Sequence, residues 1–221
     1  MSLVVTGTDT DVGKTIASAI LLVRFASVRP LAYWKPIATG ARDSRDTRTV
    51  RRLLDAGGEV LPEEYLFEAP LSPHAAARLE GRTVDPERIL EKLVGYGLER
   101  PDRGLLIEGI GGLYVPLNDE GYLFSDLLAE MHLPCIVVAR SGLGTINHTL
   151  LTLAALRERH IAVAGVVLNG PRDDENRQAI ERFGRTQVIA TIEPLLELTP
   201  RAIASAAETF DEQGLLLEFF A

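Results

Sequence analysis

Apolar residues fall along the chain in two rhythms. Uninterrupted runs such as Cys135-Ile136-Val137-Val138-Ala139 and Val163-Ala164-Gly165-Val166-Val167-Leu168 fit strands covered on both faces. Between such runs, apolar positions recur at helical spacing. The pattern predicts strands at 3–6, 31–34, 105–108, 134–139 and 162–168, with a last short strand at 187–190. It predicts helices over 14–25, 47–54, 86–93 and 146–157, with Asp46 and Asp85 suited to cap the second and third. Residues 114–123 contain the turn-like cluster "PLNDEGY", which fits a small hairpin excursion. Strands alternating with helices predict an α/β fold: a parallel sheet with helices on both faces, in three layers.

With 221 residues, 46% of them hydrophobic, the chain can build one sizeable domain over 1–221 and is short of two. It contains no repeat, low-complexity tract or linker. No apolar stretch reaches the length of a membrane span, and the N-terminus lacks the basic start of a secretory signal. A net charge of −8 argues against a general nucleic-acid binder. The single cysteine, Cys135, excludes an internal disulfide framework and a thiolate zinc cage, and its apolar run makes it a core residue. The expectation is a cytoplasmic protein with no membrane or nucleic-acid partner. His74, His132, His148 and His160 show no metal-ligand spacing and read as caps or surface positions.

The chemistry starts at "GTDTDVGKT", Gly7 to Thr15, between the first strand and the first helix. A phosphate-binding loop usually places four residues between its first glycine and the Gly-Lys-Thr ending; here five intervene. Ligands gather at the carboxyl ends of parallel strands, and the free N–H groups of a helix start hold phosphate oxygens. Lys14 is placed to meet the β/γ-phosphates, and the Thr15 hydroxyl to ligand Mg²⁺. Asp9 and Asp11 are unexpected beside phosphates. They make sense if the loop also faces a cation, either Mg²⁺ or a positively charged substrate.

The second strand leads into "YWKPIATG". Lys35 leaves on the same sheet edge, where it could meet the γ-phosphate from the other side. Alone it reads as a surface lysine beside a turn. Thr39 and Gly40 fall in the loop that follows. The third strand leads into "LLIEGIGGL". A carboxylate at Glu108 suits Mg²⁺, which takes few protein carboxylates plus phosphate oxygens. Gly109, Gly111 and Gly112 let the backbone pass close to a ligand. The bland alternative is a tight turn with a solvated glutamate. Asp46 is either a helix cap alone or a group that also reaches the metal.

In order, "VTGTDTDVGKT", "KPIATG", "PLSPHAAA", "EGIGGLYVPL", "GLGTINHTLLTL" and "GVVLNG" resemble the dethiobiotin synthetase family over most of the chain. The long phosphate loop is a trait of that family. The resemblance implies a P-loop NTPase fold, ATP and Mg²⁺ as cofactors, and 7,8-diaminopelargonic acid and CO₂ as substrates. It further implies that Asp11, Val12, Gly13, Lys14, Thr15 and Ile16 hold the ATP phosphates, with Gly109, Ile110 and Gly111 alongside. Thr15, Asp46 and Glu108 would hold Mg²⁺. Lys35 and Lys14 would act on the transferring phosphoryl group, with Thr10 and Asp11 on the diamine side. Thr39 would bond the substrate near its amine or carbamate. Asn169 and Gly170 would read the adenine edge, and Pro194, Leu195 and Leu196 would line the base pocket. Departures are Asp11 where glutamate is frequent, Thr39 where serine is frequent, and Gly170 where proline is expected. His74, in "PLSPHAAA", receives no catalytic role.

In "SGLGTINH", Gly142 and Gly144 hint at a dinucleotide fingerprint, but Asn147 stands where the third glycine belongs, so that reading is rejected. Thr145 can instead cap a helix whose N-terminus suits an anion. By resemblance, Gly144, Thr145 and Asn147 receive the substrate carboxylate from a neighbouring subunit, implying a homodimer with a shared site. Two other classes fit the residues less well. A partition or division-type ATPase has a second lysine early in the loop, where Thr8, Asp9 and Thr10 stand here. An amidotransferase-type synthetase needs a glutaminase domain, for which the chain has no room.

Overall fold

The computed structural model describes residues 2–55 and 57–219. Its strands are β1 (Leu3–Gly7), β2 (Leu31–Trp34), β3 (Ile37–Thr39), β4 (Tyr65–Phe67), β5 (Gly104–Glu108), β6 (Cys135–Arg140), β7 (Val163–Asn169) and β8 (Val188–Ile192). Its helices are α1 (Lys14–Phe25), α2 (Arg45–Leu53), α3 (Pro73–Leu79), α4 (Pro86–Glu99), α5 (Phe124–Met131), α6 (Thr145–Glu158), α7 (Asp174–Gly184) and α8 (Pro200–Glu208). A six-stranded parallel sheet runs in the order β2-β5-β1-β6-β7-β8.

Side chains alternate across each strand, and the two faces feed separate cores. Leu3, Val5, Leu31, Tyr33, Leu106, Ile136 and Val138 pack with Ala17, Ile20 and Leu21 of α1 and Val50 of α2. Val4, Ala32, Trp34, Leu105, Ile107 and Val137 pack on the other side with residues of α4, α5 and α6. The fold is therefore three-layered α/β/α, as the alternation predicts. After β5, on one side of β1, the chain crosses to β6 on the other, which makes the carboxyl end of β1 the switch point where α/β sheets bind ligands. Among the described residues, no helix is long and apolar enough to cross a membrane.

Several local expectations are corrected. Asp46 does not cap α2: Ser44 does, its Oγ accepting from the Thr47 N–H at 3.3 Å. Asp46 lies one residue inside the helix start, so its carboxylate is released from capping. Asp85 does cap α4, accepting from Glu87 N–H at 3.0 Å. Thr145 is not a cap either. Gly144 holds that position at φ 91°, and the buried Thr145 hydroxyl lies 3.5 Å from that of Thr149. Thr39 is not in a loop but ends β3, which pairs in parallel with β4, Thr39 opposite Phe67. The expected hairpin at 114–123 shrinks to one antiparallel bridge between Pro116 and Leu123. Backbone bonds from Leu117 N–H to the Tyr122 carbonyl at 2.8 Å and from Phe124 N–H to the Val115 carbonyl at 2.9 Å flank it, and Asn118 Oδ1 holds the turn, accepting from the N–H groups of Glu120 and Tyr122, both at 3.1 Å.

Candidate functional site

Strand period places the polar cluster. Tyr33 and Lys35 lie two residues apart on β2 and just past it, and Leu106 and Glu108 are related in the same way on β5. Leu106 and Tyr33 face the α1–α2 core, so Lys35 and Glu108 emerge on that face at the sheet's carboxyl edge. Thr15 descends from α1 and Asp46 from α2 to meet them.

The resulting contacts are short and buried. Lys35 Nζ lies 2.7 Å from Asp46 Oδ2 and 2.9 Å from Glu108 Oε1. Burial disfavours the Lys35 charge, but Glu108 and Asp46 together outweigh it and raise its pKa above the ordinary value. Burial likewise opposes ionisation of Asp46, and the Lys35 ammonium with the Thr15 hydroxyl overcomes it and holds the carboxyl below its usual range. Lys35 and Asp46 are therefore both held in their charged forms, in a setting where an unpartnered charge is strongly destabilising.

Thr15 Oγ1 is 3.0 Å from Asp46 Oδ1 and 2.9 Å from Glu108 Oε1. A hydroxyl carries one proton and can donate to only one of them. Its remaining lone pair and the two carboxylates form a set of hard oxygen donors that a divalent cation fits. Among the described residues no group of three or more His, Cys, Asp or Glu side chains gathers as a metal cage. Such a cation would thus depend on ligand phosphate oxygens to complete its shell.

The loop ahead of α1 is shaped for an anion. Asp11 at φ 55° and Gly13 at φ 99° both take left-handed conformations, so the added residue is absorbed in a double bend. At Gly13 a Cβ would lie 2.2 Å from the Asn169 amide nitrogen, so only glycine fits. No side chain caps α1, which leaves its first N–H groups for a ligand. Lys14 is buried and donates to the carbonyls of Asp9 at 2.9 Å and Gly111 at 2.8 Å. Burial, then the nearby Lys35 charge, lowers its pKa to about 8.

The structure brings Lys14, Thr15, Lys35, Asp46 and Glu108 together, with Gly109, Ile110 and Gly111 bordering them. The Val12 side chain is fully buried in the core, so only its backbone is left to serve a ligand. Thr10 and Asp11 are exposed at the loop tip. Asn169 Nδ2 donates to the Val12 carbonyl at 3.0 Å, placing that side chain against the phosphate loop. Gly170 stands at φ 135°, a conformation proline cannot adopt, with Ser141 against it. Pro194 and Leu195 border a cavity of about 590 Å³ beside β8 and α8; Asn169 does not line it, and Leu196 points into solvent. Gly144, Thr145 and Asn147 start α6, outside the hydrogen bonds of the Lys35 cluster.

Two contributors escape sequence reasoning. The Tyr33 hydroxyl donates to Glu108 Oε2 at 2.9 Å, though Tyr33 reads as one more apolar strand residue. Burial first, then Glu108, pushes its pKa well above the ordinary value and keeps it a donor. Arg140, at the end of β6, donates to Asp9 Oδ2 at 3.4 Å and to the Thr10 carbonyl at 3.2 Å, tying the loop tip to the sheet. Neither contact has a spacing signal, since each joins residues far apart in sequence.

The chain is similar to known proteins. Residues 1–202 match a family model described as an AAA domain. An ATP-dependent dethiobiotin synthetase BioD of Paramagnetospirillum magneticum is 48% identical over 90% of this chain and 91% of its own length. Its counterpart in Agrobacterium fabrum is 44% identical over 92% and 91%. The septum site-determining protein MinD of Pyrococcus horikoshii OT3, solved with Mg-ADP, superposes with a TM-score of 0.60 at 17% identity, covering 100% of this chain and 99% of that one. A likeness at that identity speaks for the fold alone.

Proposed function

The chain belongs to the dethiobiotin synthetase family, and from that premise we propose that it uses ATP to carboxylate and cyclise 7,8-diaminopelargonic acid to dethiobiotin. One amine takes up CO₂ as a carbamate. A carbamate oxygen attacks the γ-phosphorus of ATP and ADP leaves, giving a carbamic–phosphoric anhydride. The second amine attacks the anhydride carbon, loses a proton and expels phosphate as the ring closes.

The observation that supports this most is the buried cluster of Lys35 with Asp46, Glu108 and Thr15. Phosphoryl transfer depends on positioning and on fixed charge near the transferring group. Lys14 and the α1 N-terminus bind the phosphates. Lys35, held by two carboxylates, presents its ammonium where the carbamate and γ-phosphoryl oxygens meet. Thr15, Asp46 and Glu108 would hold Mg²⁺, which when bound neutralises phosphate charge. Thr10, Asp11 and Thr39 serve the diamine side, and the Pro194–Leu195 cavity takes the base.

The carboxylate tail of the substrate is assigned to Gly144, Thr145 and Asn147 of a second copy. Leu143 and Leu151, exposed on and before α6, support a homodimer through that helix. The enzyme is assigned to the cytoplasm.

The test is a product assay with purified protein, Mg-ATP, bicarbonate and the diamine, read by mass spectrometry with phosphate release in parallel. Dethiobiotin that requires every component is the expected result. Phosphate release independent of the diamine, with no dethiobiotin, would overturn the assignment.

A further inference from the structure

Glu108 is held at three points. Oε1 accepts from Thr15 Oγ1 and Lys35 Nζ, both at 2.9 Å, and Oε2 accepts from the Tyr33 hydroxyl, also at 2.9 Å. The first two partners belong to the ligand side of the cluster. The third does not. Tyr33 is wholly buried, one strand over, and reaches Glu108 from beneath, through the core between β2 and β5.

A carboxylate at a strand end can rotate about its last bond and present either oxygen. A half-turn only exchanges two equivalent oxygens; what the Tyr33 hydroxyl restrains is the plane of the carboxylate, because any intermediate rotation would carry the acceptor away from a buried donor. Tyr33 thus fixes the angle at which one carboxylate oxygen faces Thr15, Lys35 and Asp46. It also satisfies Oε2, which is buried with the rest of Glu108 and has no other hydrogen-bond partner among the described residues.

We propose that Tyr33 is a positioning residue of the cation site: its hydroxyl locks the Glu108 carboxylate so that Oε1 is presented to a divalent cation beside Thr15 and Asp46. This rests on the reading of Glu108 as a cation ligand. A group that orients a metal-binding carboxylate from behind typically governs metal affinity by about ten- to a hundredfold. Tyr33 is fully buried behind Glu108, out of reach of a ligand on the open side of the cluster, so nucleotide affinity without metal should not depend on it.

The test is Mn²⁺ binding to the full-length protein with saturating ADP, followed through the electron paramagnetic resonance signal of free Mn²⁺. Tyr33→Phe keeps the ring in the core and removes one oxygen. Mn²⁺ affinity is expected to fall about tenfold, with metal-free ADP affinity within about twofold of wild type. In a Glu108→Gln background, Tyr33→Phe should have no further effect on Mn²⁺. Installing 4-aminophenylalanine at position 33, which returns a donor N–H to the ring, should recover most of the lost affinity. Unchanged Mn²⁺ binding in Tyr33→Phe would overturn the proposal, as would an equal loss in the Glu108→Gln background or no recovery with the amino analogue. If Glu108→Gln alone binds Mn²⁺ like wild type, the cation reading of Glu108 fails first, and the role of Tyr33 falls with it. A purely structural tyrosine would lower the melting temperature of both single and double variants and leave Mn²⁺ affinity untouched.

Discussion

The carboxyl edge of the sheet has two unlike halves. Around β2, β5 and β1, polar groups are sunk into the protein and matched: Lys14 is 7% exposed, Lys35 4% and Glu108 1%. Around β6, β7 and β8 the first two strands end in Arg140 and Asn169, bonded to the phosphate loop, and the loops beyond leave apolar side chains in water, with Leu143 at 105% and Leu196 at 103% exposure. The first half is complete within one chain because a buried charge must be balanced before any ligand arrives. The second has no such constraint. Exposed leucines are tolerable one at a time, so this half can wait for a base, a substrate tail or a second subunit.

If the first half is a closed electrostatic unit, removing its cation should damage both chemistry and fold. Lys35→Ala is expected to lower kcat by at least about a thousandfold, judged by the worth of one fixed charge at a transition state. It should also destabilise the protein by about 3 kcal/mol or more, because Glu108 and Asp46 lose their counter-charge. Turnover assays and urea unfolding measure the two effects. Near-normal turnover would remove Lys35 from the mechanism. Lys14→Ala should abolish product formation with a much smaller effect on unfolding, since Lys14 is bonded to carbonyls and, among the described residues, forms no ion pair with a carboxylate.

The second half should behave oppositely. Leu151→Glu on the exposed side of α6 is expected to change monomer stability by no more than about 0.5 kcal/mol. It should shift the protein from dimer to monomer in sedimentation velocity and lower activity through loss of the shared site. A variant that stays dimeric would place the subunit contact elsewhere. The smallest effect concerns Cys135, on β6 beneath both halves. Burial pushes its thiol pKa up to about 12, so the native protein should resist Ellman's reagent at pH 8. Thiolate forms only as pH rises toward that pKa, and rapid labelling at pH 8 would show that the strand opens.

Strands buried on both faces were legible because nothing polar interrupts them, and the phosphate loop because Gly-Lys-Thr sits between a strand and a helix. The three-residue β3 and β4 were not, because they are too short to show a period and are held by pairing with each other. Asp46 illustrates a finer limit. Its type and position suit a cap, but Ser44 takes that role, which frees Asp46 for the site. Tyr33 was invisible for the opposite reason: an aromatic residue in "LAYW" satisfies the strand pattern, and its hydroxyl acquires meaning only when β5 lies alongside.

The resting bonds of Lys14 bear on the heat of nucleotide binding. Its ammonium already sits out of bulk water, bound to the carbonyl oxygens of Asp9 and Gly111. On the proposed reading, an arriving phosphate would exchange with those oxygens instead of stripping a hydration shell, and the carbonyls it displaced would be those of the loop and of the turn after β5. Dehydration of the lysine is thus completed during folding, and what nucleotide binding there would release is a stitch between two segments of backbone.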